Sequence, residues 1–369
     1  MKSGKIPLVD LRAQYDSIKS EIDAAIQEII NSSQFILGEP VEKFEQELAA
    51  LCATPFAIGT SSGTSALFLA LKAYGIGPGD EVITVPNSFI ATVSSIINTG
   101  ATPVFVDVDK DTFLMDPNLI EKAITSKTKA ILPVHLYGQI CEMDRILEIA
   151  RKHNLHVVED AAQAIDAEYK GRKIPVGDTA IFSFFPAKNL GAYGDAGALV
   201  TKDKKVAEIV KKLRNHGRIS KYESELVGYG ARIDALHAAI LRVKMKHIGG
   251  WSALRNHNAK LYTELLKQVS LVKTPTVKEH NKHVFHLYVI ELDSRDQLKQ
   301  ELNAQGIGAE VHYPLPLHLQ PALKYLGYKE GDFPIAEKSS KRILSLPMYP
   351  ELPSENIHHI VNTVKEILK

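Results

Sequence analysis

Apolar positions along this chain switch repeatedly between two spacings. Over residues 64–201, short apolar runs of strand length fall at 81–85, 103–107, 130–135, 155–160, 180–184 and 197–201. Between them, apolar residues three and four apart predict helices from about 64 to 74 and over 88–98, 116–125 and 143–153. The cluster Gly75-Ile76-Gly77-Pro78-Gly79-Asp80 ends the first of these. Strands alternating with helices predict an α/β fold, a mainly parallel sheet sandwiched by helices. Before this region, Ile18, Ile22, Ala25, Ile26, Ile29 and Ile30 mark a helix over 15–30, and a second is expected over 41–51 after a break at 32–40. After it come a basic helix at 206–216 and helices at 231–247 and 256–268. The pattern then changes, with strands expected at 283–292 and 307–311 and helices at 297–305 and 356–368. This divides the chain into residues 1–250, the N-terminal helices with a large α/β domain, and residues 251–369, a smaller α+β domain.

Composition narrows the class. With 369 residues, 45% of them hydrophobic and 24% charged, the chain suits a globular protein with a sizeable core. A formal net charge of +1 gives no reason to expect nucleic acid or a membrane surface as partner. Cys52 and Cys141 are the only cysteines and form no CxxC spacing, so a reducing, cytoplasmic setting is expected. Residues 1–7 lack the apolar core of a signal peptide, and no apolar run approaches the roughly 20 residues of a membrane span. The 14 histidines suggest no metal site: His283 and His286, and His358 and His359, fit ordinary strand and helix surfaces, without accompanying carboxylates.

Three stretches carry candidate chemistry. In Phe182-Ser183-Phe184-Phe185-Pro186-Ala187-Lys188-Asn189-Leu190-Gly191, a lysine sits among apolar and small residues just past a strand. Burial disfavours the ammonium and makes the amine a usable nucleophile, able to form a Schiff base with a carbonyl. In Leu155-His156-Val157-Val158-Glu159-Asp160-Ala161-Ala162-Gln163, Asp160 ends a strand, on the side where open α/β sheets place their ligand crevice. It is suited to holding a pyridinium nitrogen protonated, or to capping the next helix. In Gly59-Thr60-Ser61-Ser62-Gly63-Thr64-Ser65, small residues run into a helix whose first N–H groups and dipole favour a phosphate. Ser183 can add a hydroxyl. A phosphate cradle (Ser62, Gly63, Thr64), an aspartate and a Schiff-base lysine are the parts of a pyridoxal 5'-phosphate site.

On these motifs the sequence resembles the DegT/DnrJ/EryC1/StrS family of sugar aminotransferases, of the pyridoxal-phosphate fold type I class. The likeness rests on Ser62-Gly63-Thr64, Glu159-Asp160-Ala161-Ala162-Gln163, the run from Ser183 to Gly191, and Gly194-Asp195-Ala196-Gly197-Ala198, and it extends from Ile6 to Tyr349. It implies that Lys188 carries the cofactor and moves a proton, that Asp160 pairs with the ring nitrogen, that Gln163 reaches the ring oxygen, and that Phe89 stacks on the ring. It also implies a homodimer with shared active sites, for which the apolar helix after Ala231 is a candidate surface. One departure stands out. Where the family carries Gly-Tyr-Asn-x-Arg, with the Asn reaching the neighbouring subunit's cofactor, this chain has Gly228-Tyr229-Gly230-Ala231-Arg232, and that role is not carried over to Gly230.

In the stretch from Glu310 to Pro321, prolines restrict the path, Tyr313 offers a hydroxyl and a stacking face, and His312 and His318 offer hydrogen bonds to a sugar or phosphate. The stretch resembles that of aminotransferases acting on dTDP-linked 3-keto-6-deoxyhexoses, with L-glutamate as donor. A 4-keto sugar nucleotide is the alternative substrate. A dehydratase on the same fold replaces the lysine by histidine, against Lys188 here, and a catalytically silent regulatory relative is the alternative of another kind.

Overall fold

The computed structural model of the chain describes residues 5–369. Three helices open it: α1 (Leu11–Ser17), α2 (Lys19–Ser32) and α3 (Glu39–Leu51). The spacing over 15–30 predicted one helix, but the backbone breaks at Ile18, whose φ of -128° and ψ of 20° leave the helical region. Asp10 caps α1 by accepting from the Ala13 amide at 2.9 Å, and Ser33 ends α2 in a left-handed turn.

The strands that follow are β1 (Phe56–Thr60), β2 (Glu81–Thr84), β3 (Thr102–Phe105), β4 (Thr128–Ile131) and β5 (His156–Asp160). A short hairpin, β6 (Glu168–Tyr169) and β7 (Arg172–Lys173), precedes β8 (Thr179–Ser183) and β9 (Gly197–Thr201). Seven strands form one sheet in the order β1-β9-β8-β5-β4-β2-β3. Neighbours are parallel except at β9, which runs antiparallel to both β1 and β8. The strands are buried almost throughout, as a sheet covered on both faces requires. The covering helices are α4 (Gly63–Ala73), α5 (Ile90–Asn98), α6 (Pro117–Ala123), α7 (Met143–Lys152), α8 (Lys204–Leu213) and α9 (Ala235–Met245).

Six of the seven strands match sequence expectation within a few residues; β1 carried no clear signal because Gly59 interrupts it. The structure shows why glycine stands there: an added Cβ would lie 2.4 Å from Ile233 Cγ2. The Gly59 amide donates to Glu45 Oε1 at 2.8 Å and its carbonyl accepts from Arg214 Nη1 at 2.7 Å. Glu45 and Arg214 also pair with each other in the core, so one buried ion pair ties α3 and the end of α8 to the edge strand.

The C-terminal part contains α10 (Ile248–Leu266), β10 (Asn281–Lys282), β11 (Tyr288–Glu291), α11 (Arg295–Ala304), α12 (Pro334–Ser340), β12 (Ile343–Leu346) and α13 (Ser354–Ile367). Strands β11 and β12 pair antiparallel, and α10 and α11 pack on α13. The strand expected over 307–311 does not form; only isolated bridges join Ile307 to Ile6 and Glu310 to Ser345. The strand expected over 283–292 starts only at Tyr288, because Phe285 takes a left-handed φ of 41°. That kink turns His283 and His286 inward. Both are buried, which corrects their reading as surface positions.

The sheet and α4 meet at Gly197, the first residue of β9. A Cβ there would sit 2.3 Å from the Ser62 carbonyl carbon and 2.5 Å from the Gly63 nitrogen. Gly197→Ala is expected to destabilise the protein by about 1–3 kcal/mol through overpacking. Urea unfolding checks this, and an unchanged midpoint would contradict so close an approach.

Candidate active site

At the carboxyl ends of β5 and β8 lies a cavity of about 470 Å³, within the size range of small-molecule sites. Ser62, Gly63, Thr64, Phe89, Asp160, Gln163, Ser183, Lys188, His312 and Tyr313 all line it. Residues far apart in sequence and singled out for separate reasons thus converge on one space.

The cradle is set by helix capping. Ser62 Oγ accepts from the Ser65 amide at 3.0 Å and Ser65 Oγ accepts from the Ser62 amide at 2.9 Å, closing a capping box at the start of α4. Gly63 packs against the end of β8 so closely that a Cβ would fall 2.8 Å from Ser183 Cβ. The first turn of α4, with amides that have no intrahelical partner, therefore opens beside the Ser183 hydroxyl. Small residues, a helix N-terminus and a hydroxyl in one corner fit a phosphate.

Asp160 ends β5 and is buried. Its Oδ2 accepts from Thr92 Oγ1 at 2.8 Å, and Thr92 shares a 2.8 Å hydrogen bond with Ser88 Oγ. Its Oδ1 accepts from the Ala162 amide at 3.2 Å. Burial pushes the Asp160 carboxyl up from its ordinary value, while the Thr92 and Ala162 bonds and the charge of Lys188 oppose the rise. A carboxylate so held needs a cationic partner, which a protonated pyridine nitrogen would provide. Thr92 and Ser88 carried no signal in the sequence, since hydroxyls one helical turn apart are ordinary.

Lys188 lies in the loop between β8 and β9. Its amide donates to the Phe185 carbonyl at 2.8 Å, and the Ala192 amide closes the loop onto the Phe184 carbonyl at 2.8 Å. The neighbouring Asn189 is fixed by its Nδ2 donating to the Val284 carbonyl at 2.9 Å and by a 3.2 Å bond between its Oδ1 and His286 Nδ1. Burial lowers the Lys188 amine to about 8, the charge of Asp160 opposing. An amine near 8 is substantially more available as a nucleophile and base at neutral pH than an ordinary lysine.

The opposite wall comes from the C-terminal part. His286 and His312 line the cavity. Burial holds His286 well below the usual histidine range and brings His312 down to about 4, so both are neutral. His312 Nδ1 bonds Ser345 Oγ at 2.9 Å. Tyr313 faces Phe89, ring centroids 5.9 Å apart. Gln163 Oε1 accepts from the Tyr137 amide at 2.7 Å, leaving its Nε2, 3.4 Å from the Tyr313 hydroxyl, as the end facing the cavity. Phe89 is half exposed at the rim rather than in the core.

His318 does not belong to this site. It is fully buried, bonds Glu337 Oε1 through Nε2 at 3.0 Å and packs on Phe105 and Phe333. Glu337 also accepts from the Gly331 and Phe333 amides, so the pair pins the chain between 318 and 337. The expectation that His318 meets substrate is corrected: its bond to Glu337 and its packing on Phe105 and Phe333 hold it in the core. His286, in contrast, reaches the cavity through the kink at Phe285, which no periodicity foretold.

A lysine and an aspartate converging on a phosphate cradle, at the strand ends of a mainly parallel sheet, define the site class of a pyridoxal-phosphate aminotransferase. A sequence model of the DegT/DnrJ/EryC1/StrS aminotransferase family matches residues 16–365, and the chain belongs to this family. It is 48% identical over 99% of both chains to a Geobacillus stearothermophilus protein named a pleiotropic regulatory protein. It is 43% identical to the dTDP-3-amino-3,4,6-trideoxy-alpha-D-glucose transaminase of Streptomyces venezuelae, over 98% of this chain and 96% of that one. The crystal structure of S. venezuelae DesV in complex with a ketimine intermediate superposes with a TM-score of 0.97 at 42% identity, covering 99% of each chain.

The lowered Lys188 amine gives a pH signature. Below about 8 the folded chain holds a desolvated ammonium that the unfolded chain keeps in water. Between about 8 and the ordinary 10.5 the unfolded chain binds more protons, so this group's contribution to stability rises with pH. The unfolding free energy of the cofactor-free wild type, relative to Lys188→Met, is expected to rise from pH 8 to 10.5. Parallel pH curves would show that the amine is not desolvated.

Proposed function

We propose that this chain uses pyridoxal 5'-phosphate to transfer an amino group from L-glutamate to C3 of a dTDP-linked 3-keto-6-deoxyhexose, giving a 3-amino-3,6-dideoxyhexose nucleotide. The observation that carries the reading is the convergence of Lys188, its amine brought to about 8, with buried Asp160 and the Ser62-Gly63-Thr64 cradle in one cavity. The residues present fit the cofactor. The first turn of α4 and Ser183 would hold its phosphate, Asp160 its ring nitrogen, Phe89 its ring face, Gln163 its ring oxygen and Lys188 its aldehyde carbon. When bound, the cofactor supplies a carbonyl that accepts the amino group and a ring that takes up carbanion charge. Lys188 would serve as the base and acid that moves the donor's α-proton. Asp160 would keep the ring nitrogen protonated, and Thr92, bonded to its Oδ2, holds Asp160 in orientation.

Membership of the aminotransferase family and likeness to the S. venezuelae transaminase support the sugar-nucleotide class. His312 and Tyr313, brought to the cavity by the segment after α11, are the proposed sugar contacts. Residues from about 250 onward act as a smaller unit supplying this wall, and the setting is cytoplasmic. The chain acts as a homodimer with shared active sites. The apolar side of α9 is covered by α2 and α3 of the same chain. Exposed large apolar side chains among the described residues include Phe35, Ile36, Ile219, Tyr222 and Val227, with Val227 93% exposed, and such side chains suit a protein partner. The name of the G. stearothermophilus relative favours a second reading, a regulator without turnover.

Rates with dTDP- and UDP-linked 3-keto and 4-keto 6-deoxyhexoses decide among these. The dTDP-linked 3-keto sugar is expected to give the highest kcat/KM; a higher value for a 4-keto isomer would move the reaction to C4. No amination of any of them, with bound cofactor unchanged by glutamate, would leave the regulatory reading. Sedimentation at assay concentration is expected to show a dimer, and a fully active monomer would contradict the shared site.

A further inference from the structure

Lys244, on α9, is wholly buried yet meets no carboxylate within 4.0 Å among the described residues. Its Nζ donates to the Gly191 carbonyl at 2.7 Å and to Gln14 Oε1 at 2.8 Å, and lies 4.3 Å from the centre of the Tyr193 ring. Arg242, two residues earlier, pairs at the surface with Glu47 in the ordinary way. An apolar side chain of similar volume, such as methionine, would fill the space but would leave the Gly191 carbonyl and Gln14 Oε1 without this donor. The interior ammonium therefore does more than pack: it holds two segments of the chain to α9.

Gly191 closes the loop that carries Lys188. It lies so tightly on the preceding turn that a Cβ would come within 2.2 Å of the Pro186 carbonyl oxygen. Asn189 anchors the loop from the side of Val284 and His286, and Lys244 anchors it from the side of α9 and α1. Lys188 directly precedes the first anchored residue, Asn189, and lies three residues before the second, Gly191.

We propose that Lys244 is a positioning residue for Lys188: its buried ammonium holds the Gly191 carbonyl and thereby fixes the loop that presents the reactive amine. This rests on the reading of Lys188 as the cofactor-binding lysine. The ammonium, with three donors, grips an acceptor on the loop and another on α1, so the N-terminal helices share in holding the catalytic loop. A misplacement of the amine by a fraction of an ångström slows the proton transfer it performs while leaving recognition of the substrates nearly intact.

The test compares wild type with Lys244→Met, and with the shorter, uncharged Lys244→Gln should the Met variant fail to fold. In the cofactor-free chain, hydrogen exchange of the Lys188 and Ala192 amides is expected to quicken at least tenfold, with the sheet unchanged. In the loaded enzyme, kcat is expected to fall 10- to 100-fold with KM for glutamate within threefold, and Lys244→Arg to recover part of the loss. Unchanged exchange in a folded variant, kcat within twofold of wild type, or failure of both variants to fold would overturn the proposal. If the wild type binds no pyridoxal phosphate, the functional reading fails, while the exchange comparison still decides this one.

Discussion

Everything at this site depends on keeping one amine and one carboxylate out of water. Burial draws Lys188 down to about 8 and pushes Asp160 up. Each shift comes from the same desolvation, and each is moderated by the other's charge. Two such groups stay placed only if the backbone around them is held. The sheet supplies that: Asp160 sits on a central strand, and Lys188 hangs from a loop closed between β8 and β9. The Thr92 hydroxyl and the Asn189 amide complete the support with hydrogen bonds that add no charge to the cavity.

The rest of the fold concentrates charge where chemistry needs it and neutralises it elsewhere. His286 and His312 face the cavity as neutral rings that offer hydrogen bonds without competing with Lys188. Behind the site, buried polar pairs do mechanical work. His135 Nδ1 accepts the Cys141 amide, which leaves Nε2 to carry the proton donated to Glu159 at 2.9 Å. Glu159 also accepts from the Gly177 amide at 2.7 Å, tying β5 to the turn before β8. Glu45 with Arg214, and His318 with Glu337, secure the edge strand and the segment after Tyr313 in the same way. Such pairs contribute less to net stability than to fixing which backbone lies beside which.

Legibility followed from locality. The parallel strands and their crossover helices announce themselves by spacing, and the motifs at 62–64, 160–163 and 183–188 sit at the strand and helix ends where such a fold gathers ligands. What escaped depends on contacts distant in sequence. Strand β1 is weakened by a glycine whose reason is Ile233, and β12 is four residues with no turn signature. His286 enters the cavity through a backbone kink, and Thr92 gains its role only when β5 arrives beside α5. His318 shows the reverse error: a polar residue in a rigid loop looked like a contact, yet its partner Glu337 lies 19 residues further along and draws it inward.

The most direct test of the account is where the cofactor becomes covalently attached. The protein, loaded with pyridoxal phosphate and reduced with borohydride, is digested and its peptides weighed. One phosphopyridoxyl group per chain is expected, on the peptide containing Lys188, and none on the same peptide of Lys188→Ala. Stable labelling of another lysine, or an unlabelled Lys188 in a protein that binds the cofactor, would contradict it.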